Sequence, residues 1–144
     1  MEGDAVIAVW NGLAPCPQHA ERALAAAREL AARIPPLLPA LASESVPPPL
    51  ALEVGLDSGP VLFGAFGPPS RRQHLALGLP VTRALRLAHL AGDQGADLLV
   101  GPCLDERLPA AQRAALAERG SFLLEGLTLA CEVYAVADPT PARR

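Results

Sequence analysis

The side chains that could do chemistry in this chain are a small set of carboxylates, arginines and thiols. All twelve basic residues are arginine, so the chain has no lysine to form a Schiff base or to hold phosphates in a Walker-type loop. Arg86 offers the guanidinium fork that suits a phosphate, or it is a solvated charge that shares the polar side of a helix with Arg83. Asp4 follows Gly3, which is ordinary hairpin-turn chemistry and also presents a carboxylate that could hold a cation.

The three cysteines and three histidines do not form a recognisable site. No cysteine belongs to a Cys-x-x-Cys motif or has a histidine at metal-ligand spacing, so idle or buried thiols are expected. No histidine is paired in sequence with a nucleophile, which gives a hydrolase triad little support. These residues are Cys16, Cys103, Cys131, His19, His74 and His89.

The composition predicts one globular domain. The chain has 144 residues, of which 51% are hydrophobic and 19% charged, enough to bury a core. A net charge of −3 gives no electrostatic footprint for nucleic acid, and the basic pair at 143–144 is expected to be solvated. No apolar run approaches the roughly 18 residues of a membrane helix. A cytoplasmic location is therefore expected, although the chain could be a piece of something anchored.

Hydrophobic periodicity and turn residues divide the chain into alternating strands and helices. An amphipathic helix is predicted over 20–34, ended by Pro35 and Pro36, with an irregular connector to residue 49. A strand over 50–57 is predicted to form a hairpin with a strand over 61–66. The other predicted strands are 5–10, 73–77, 96–100, 122–124 and 130–136, and the other predicted helices are 80–91 and 109–118. This order predicts an α+β fold with a mixed sheet and helices packed on it.

The stretch from 55 to 87, GLDSGPVLFGAFGPPSRRQHLALGLPVTRALRL, resembles the catalytic core of class III nucleotide cyclases. Its glycines at 59, 64 and 67 match the family's GxVxxGxxG hairpin, and Leu77-Gly78 matches the corner before the next helix. The strand at 98–100, the turn at 104–109 and the strand at 131–136 also resemble the family's second half. The resemblance implies a ferredoxin-like sheet that lacks the family's first strand and helices.

Taken along the chain, the resemblance covers residues 1–138 as a cyclase homology domain, with 139–144 as a flexible tail. The family's first strand is central in its sheet, so its absence would leave an exposed edge. A fragment of a longer protein or a misplaced start site is therefore expected, in preference to a partner that fills the sheet.

The resemblance also assigns roles to residues on the predicted helix and upstream of it. Arg86 stands where the family's arginine stabilises charge on the transferred phosphorus, and Thr82 replaces the asparagine that orients the ribose. Asp4 stands for the second of two aspartates that hold Mg²⁺ or Mn²⁺. The first aspartate would lie some fifty residues upstream in the family pattern.

The resemblance assigns nucleotide binding to Leu75, Gly78 and Glu125, at positions that depart further from the family pattern. Leu75 stands at the base-reading position before Gly78 and cannot hydrogen-bond a purine edge. Glu125 replaces a lysine that contacts the triphosphate, and its carboxylate would repel phosphates. Most of the catalytic constellation is thus replaced, which predicts little remaining catalysis.

Three hypotheses follow. The first is a degenerate, catalytically inactive cyclase-like domain that acts as a dimerising or regulatory signalling module, paired with itself or with another cyclase-like domain. The second is a partial adenylate or guanylate cyclase that needs a complementary partner chain, or the missing N-terminal segment, to act on ATP or GTP. The third is a ferredoxin-like binding domain unrelated to cyclases, which would have no affinity for nucleoside triphosphates.

Overall fold

The computed structural model describes residues 5–41 and 50–136. Its helices are α1 (His19–Arg33), α2 (Leu38–Leu41), α3 (Leu79–Asp93), α4 (Pro102–Asp105) and α5 (Ala110–Arg113), with a 3-10 turn at Pro35–Leu37. Its strands are β1 (Val54–Leu56), β2 (Leu62–Phe66), β3 (Gln73–Leu77), β4 (Leu98–Val100), β5 (Leu116–Phe122) and β6 (Cys131–Val136). Asp4 and the tail at 139–144 lie outside the described residues.

The main sheet has four strands in the order β1-β4-β6-β5. β1 runs parallel to β4, with Val54 opposite Leu98. β4 and β6 are antiparallel, as are β5 and β6, whose register shifts between Glu118 and Gly120. The predicted α+β architecture with a mixed sheet is confirmed.

The glycine-rich hairpin forms a second, two-stranded sheet. β2 pairs antiparallel with β3, so that Leu62 lies opposite Leu77 and Phe66 opposite Gln73. The predicted pairing of 61–66 with 50–57 is wrong. β1 instead joins β4, where the Val54 amide donates to the carbonyl of Asp97 over 2.9 Å, and Pro60 has no N–H with which to begin a tight hairpin.

The core lies on both faces of the main sheet because β4 is buried on both of its sides. Leu98 and Val100 pack with α1, whereas Leu99 packs with α3 and β6. The first cluster comprises Ala20, Leu24, Ala27, Leu98, Val100, Leu104 and Leu108. The second comprises Leu87, Ala91, Leu99, Leu124, Val133 and Ala135. Successive strand residues point to opposite faces, which fixes this division.

Both long helices agree with their sequence signals. α1 matches the periodicity of 20–34 and is followed by Pro35. α3 begins after Gly78, whose φ of +148° favours glycine, and it carries Pro80 in its first turn, where a missing N–H costs little. Among the described residues, none of the helices combines the length and apolar character needed to cross a membrane.

Three other predicted elements differ from the structure. Residues 5–10 form no strand, because within the described chain they have no ladder to join. The helix predicted over 109–118 is only the short α5, and the strand predicted over 122–124 is the end of β5. β5 pairs along β6 from Leu116 to Phe122, so sheet pairing overrides the helix propensity of an alanine-rich segment.

α3 lies unusually close to β1 at Gly55. A Cβ added there would be 1.9 Å from the Ala84 carbonyl oxygen and 2.5 Å from the Ala88 amide nitrogen. Only glycine permits this approach of helix to strand. Gly55 therefore sets how closely α3, which carries Thr82 and Arg86, packs on the sheet.

Candidate functional site

The start of α3 places two of the predicted site residues one helical turn apart. Thr82 is exposed, and its amide donates to the Gly78 carbonyl over 3.3 Å. Arg86 follows four residues later, so the two side chains lie on one face of the helix. Gly78, the third of the residues assigned to nucleotide binding with Leu75 and Glu125, immediately precedes α3 as its N-cap residue.

Arg86 is held by Glu125. The Arg86 Nη1 atom lies 2.8 Å from Glu125 Oε2, and Arg86 Nε donates to the Glu125 carbonyl over 3.1 Å. Glu125 lies in a turn in which the Leu127 amide donates to the Leu124 carbonyl over 3.0 Å. The structure thus brings together two predicted site residues, and it gives the guanidinium an internal carboxylate partner.

This ion pair lies at the surface. The Arg86 side chain is 32% exposed and that of Glu125 is 80% exposed. Solvent screens such a pair, whose contribution to stability is typically about 0–1 kcal/mol. The contact therefore neutralises Arg86 locally without holding the fold together.

Leu75 lies on β3, opposite Gly64 of β2. Alternate residues share a strand face, so Leu75 lies on the same hairpin face as Leu62 and Leu77. All three leucines are exposed. At the predicted base-reading position this face presents a leucine side chain, which offers apolar contact.

The described residues do not fit a divalent cation. They contain no group of three or more His, Cys, Asp or Glu side chains that could hold a metal ion. Asp4, the predicted metal ligand, lies outside these residues. Asp57, the carboxylate that follows β1, is already paired with Arg83.

The Asp57–Arg83 pair is a feature that the sequence reasoning missed. Arg83 Nε donates to Asp57 Oδ2, and the Asp57 side chain is completely buried. Burial raises the pKa of Asp57 above 3.8, opposed by Arg83 and by the amides of Ser58 and Leu104. The sequence interpretation of Arg83 as a solvated charge is wrong, because its side chain is only 15% exposed. The one signal in the sequence is that Arg83 lies four residues before the apolar Leu87, on the same face of the helix.

Two thiols adjoin this pair. Arg83 Nη2 donates to Cys103 Sγ over 3.2 Å. Burial raises the pKa of the Cys131 thiol, and the charges of Asp57, Arg83 and Cys103 also act on it. Both cysteines are free and half-buried. The cluster joins the carboxyl ends of the parallel strands β1 and β4 to the start of β6.

His19 and Ser58 form a second polar contact that the sequence did not reveal. His19 Nε2 lies 3.2 Å from Ser58 Oγ, and its Nδ1 lies 3.3 Å from the Cys16 carbonyl. The carbonyl can only accept, so Nδ1–H donates to it, while Nε2 shares a hydrogen bond with the serine hydroxyl. Ser58 is only 7% exposed. The contact ties α1 to the end of β1.

Comparison with solved structures identifies the fold. Two structures of a bacterial light-regulated adenylyl cyclase match 58% of this chain at 26% and 28% identity, each with a TM-score of 0.50. The match covers 22% and 23% of those chains. No protein family profile matches the chain, and no curated protein sequence matches it.

A crystal structure of the adenylyl cyclase CyaB from P. aeruginosa aligns with more of the chain. It matches 92% of this chain with a TM-score of 0.70 at 17% identity, and the match covers 66% of CyaB. The chain thus spans less than a quarter of the light-regulated cyclases and about two thirds of CyaB. The fold and the order of hairpin, corner and helix define a class III nucleotide cyclase-like domain, as the sequence predicts, and the partial coverage fits a partial domain.

Proposed function

We propose that residues 1–138 form a degenerate cyclase-like domain that does not cyclise nucleotides on its own. It works in the cytoplasm as a dimerising or regulatory signalling module, with 139–144 as a flexible tail. Its partner is a second copy of this chain or another cyclase-like domain. Nucleic acid is not a partner, in keeping with the net charge of −3.

The observation that carries this proposal is the contact between Arg86 and Glu125. A guanidinium stabilises a phosphoryl transition state only if it can direct its donors at the oxygens where charge develops. Here Nη1 and Nε are engaged by Glu125 at 2.8 and 3.1 Å. A triphosphate would have to displace the Glu125 carboxylate from Arg86. The negative charge of that carboxylate would then remain nearby and repel the phosphates.

Two substitutions act in the same direction. The Leu75 side chain cannot hydrogen-bond the edge of a purine. Polar groups of the base that are buried against an apolar side chain without hydrogen-bond partners cost free energy. Thr82 offers a single hydroxyl, whereas the asparagine of the family offers both an NH₂ donor and a carbonyl acceptor. Loss of one such donor lowers a rate by about 10²–10³, so these combined replacements leave little catalysis to the isolated chain.

One test is to measure nucleotide turnover and self-association on the same preparation of the full chain. With Mg²⁺ or Mn²⁺ and either ATP or GTP, we expect no cyclic nucleotide above the buffer blank. Sedimentation velocity is expected to show a dimer in the micromolar range. Turnover by the chain alone, or a chain that stays monomeric at high concentration, would each contradict the proposal.

The second candidate is a partial cyclase completed in trans. The solvent exposure of Arg86, at 32% of its side chain, favours it, because a partner could reach the guanidinium once Glu125 moves aside. The partner would have to supply the metal aspartates and base-reading groups, with Mg²⁺ or Mn²⁺ and ATP or GTP.

That candidate is tested by adding a cyclase domain with a complete metal site whose own arginine has been replaced. Turnover should then appear only in the mixture and should be abolished by Arg86→Ala. Arg28→Ala, a change at an exposed arginine of α1, serves as the matched control. A mixture that stays inactive leaves the regulatory module as the standing proposal.

A further inference from the structure

Two cysteines lie at the same end of the antiparallel pair β4 and β6. Leu99 lies opposite Ala135, and Val100 lies opposite Tyr134. Cys103 follows the end of β4 by three residues, within α4, and Cys131 is the first residue of β6. The chain turns into α4 at Pro102, and α4 packs against β6. The two cysteines, distant in sequence, thus belong to adjoining parts of one end of the sheet.

Both thiols lie on the α3 side of that sheet. Cys131 packs against the cluster formed by Leu87, Leu99 and Val133. Cys103 Sγ accepts a hydrogen bond from Arg83, which lies one turn before Leu87 on α3. The charge of Cys103 contributes to the raised pKa of Cys131, as expected for sulfurs that share one environment.

We propose that Cys103 and Cys131 form a dithiol that low-molecular-weight disulfides oxidise to an intrachain disulfide. Cys103 is the attacking residue, because the Arg83 guanidinium donates to its sulfur over 3.2 Å. Cys131 is the resolving residue, because burial disfavours its ionisation. Both are half-buried rather than sealed, so a small reagent can reach them.

The exchange balances in two steps. The Cys103 thiolate attacks one sulfur of the reagent disulfide, which forms a mixed disulfide and releases one reagent thiolate. The Cys131 thiolate then attacks the Cys103 sulfur, which forms the intrachain bond and releases the second reagent thiolate. Two protein thiols are oxidised, one reagent disulfide is reduced, and the two cysteine protons pass to the released thiolates.

The bond would enclose the segment that contains α5, β5 and the turn with Glu125. Closing such a loop restricts the unfolded chain. Oxidation should therefore raise the Tm by roughly 5 °C or more, and dithiothreitol should reverse the shift. The same bond fixes the start of β6 beside α3, which carries both Arg83 and Arg86.

The experiment treats the folded full chain with oxidised glutathione, alkylates the remaining thiols and digests with trypsin without reduction. Because the chain lacks lysine, trypsin cuts only after arginine, which places Cys103 in peptide 87–107 and Cys131 in peptide 120–143. We expect these two peptides to be joined, with a mass about 2 Da below their sum. Cys16, in peptide 1–22 and also half-buried, should be found outside that bond.

Cys103→Ser and Cys131→Ser should each abolish the joined peptide, whereas Cys16→Ser should leave it unchanged. In urea the unfolded wild type should give all three pairings, which checks that the folded pairing comes from the structure. Mixed disulfides alone, or folded-state bonds that include Cys16 as often as the other two, would overturn the proposal.

Discussion

Asp57 and Arg83 form an ion pair in which the Asp57 side chain is completely buried and the Arg83 side chain is 15% exposed. The pair joins the residue that follows β1 to the first turns of α3. Its desolvation raises the pKa of Asp57 above 3.8, so the carboxylate depends on its partner to stay charged. Breaking such a pair leaves an uncompensated buried charge, which costs far more than the intact pair contributes.

Arg83→Met should lower the free energy of unfolding by about 3–5 kcal/mol, because Asp57 would remain buried without its cation. Urea denaturation monitored by circular dichroism measures the change. Removing both charges, as in Arg83→Met with Asp57→Leu, should recover most of the loss. Arg28→Met on the exposed face of α1 should change stability by less than about 0.5 kcal/mol.

The penalty of Arg83→Met should also depend on pH. Without Arg83 the pKa of Asp57 rises further, because burial is then less opposed. Consider a carboxyl group whose pKa is higher in the folded than in the unfolded state. Its contribution to the stability of the protein is fully present below the unfolded pKa and is lost as the pH rises through the folded pKa. The penalty should therefore be smaller near pH 4 than at pH 7. An equal penalty at both values would contradict this account of the pair.

Gly55→Ala should destabilise the protein by about 1–3 kcal/mol or more, because the added Cβ would overlap the backbone of α3. The clash is with the Ala84 carbonyl oxygen at 1.9 Å, which cannot move without the helix. Gly64→Ala on β2 is the matched control, since its nearest neighbour would be a Phe66 ring carbon at 3.9 Å. Thermal unfolding of both variants separates a packing effect from a general glycine effect.

Tyr134 should titrate far above its ordinary range. The Tyr134 hydroxyl donates to Glu132 Oε2 over 2.9 Å, and this bond is the main cause that raises its pKa from 10.0 to about 12. It is the only tyrosine of the chain, so absorbance at high pH reports on it alone.

Glu132→Gln should return that pKa towards 10.0. The difference is largest near pH 11, where the wild-type phenol stays mostly protonated and the variant is mostly ionised. Circular dichroism at the same pH confirms that both proteins are folded. By linkage, the stability that this hydrogen bond contributes is present below pH 10 and is lost as the pH rises through 12. Coincident titration curves would rule out the bond as the cause.

Glu125→Gln should release the Nη1 end of Arg86 for an external anion, while the bond from Nε to the backbone carbonyl of residue 125 remains. Removing one carboxylate at about 4 Å in water is worth roughly 1 kcal/mol, or about a fivefold gain in affinity for inorganic triphosphate. Isothermal titration calorimetry measures the gain, which Arg86→Gln in the same background should remove. Glu106→Gln, at an exposed glutamate of another segment, should show none. Stability should change by less than about 1 kcal/mol, since the pair is exposed.

The sequence predicted the long helices and most strands because their signals are local. Apolar residues at helical spacing and flanking prolines identify α1 and α3, and the glycine pattern identifies the β2–β3 region. The partners of strands are not local, which explains the wrong hairpin and the wrong helix before β5. Pairing with β6 determines the strand conformation of Leu116 to Phe122. The residues of that segment alone do not reveal that a partner strand is present.

The candidate site was predictable in part for the same reason. Arg86 and Glu125 were each assigned through the family resemblance, but their contact joins residues 39 positions apart. The Asp57–Arg83 ion pair was not predictable from the sequence, because both residues belong to segments whose local patterns are ordinary. Only the close packing of α3 on β1 brings them together. Leu75 was assigned to a binding position, and the strand register adds that it shares an apolar face with Leu62 and Leu77.

The two-stranded sheet of β2 and β3 exchanges ladder hydrogen bonds with no other strand among residues 5–41 and 50–136. Its amides can therefore lose protection without disruption of the four-stranded sheet, so the hairpin is a local cooperative unit with its own opening free energy. An isolated hairpin is marginally stable in water. A partner that binds the face formed by Leu62, Leu75 and Leu77 would slow hydrogen exchange across β2 and β3 while leaving that of β4 and β6 unchanged. Hydrogen exchange in this small sheet would therefore report association at that face.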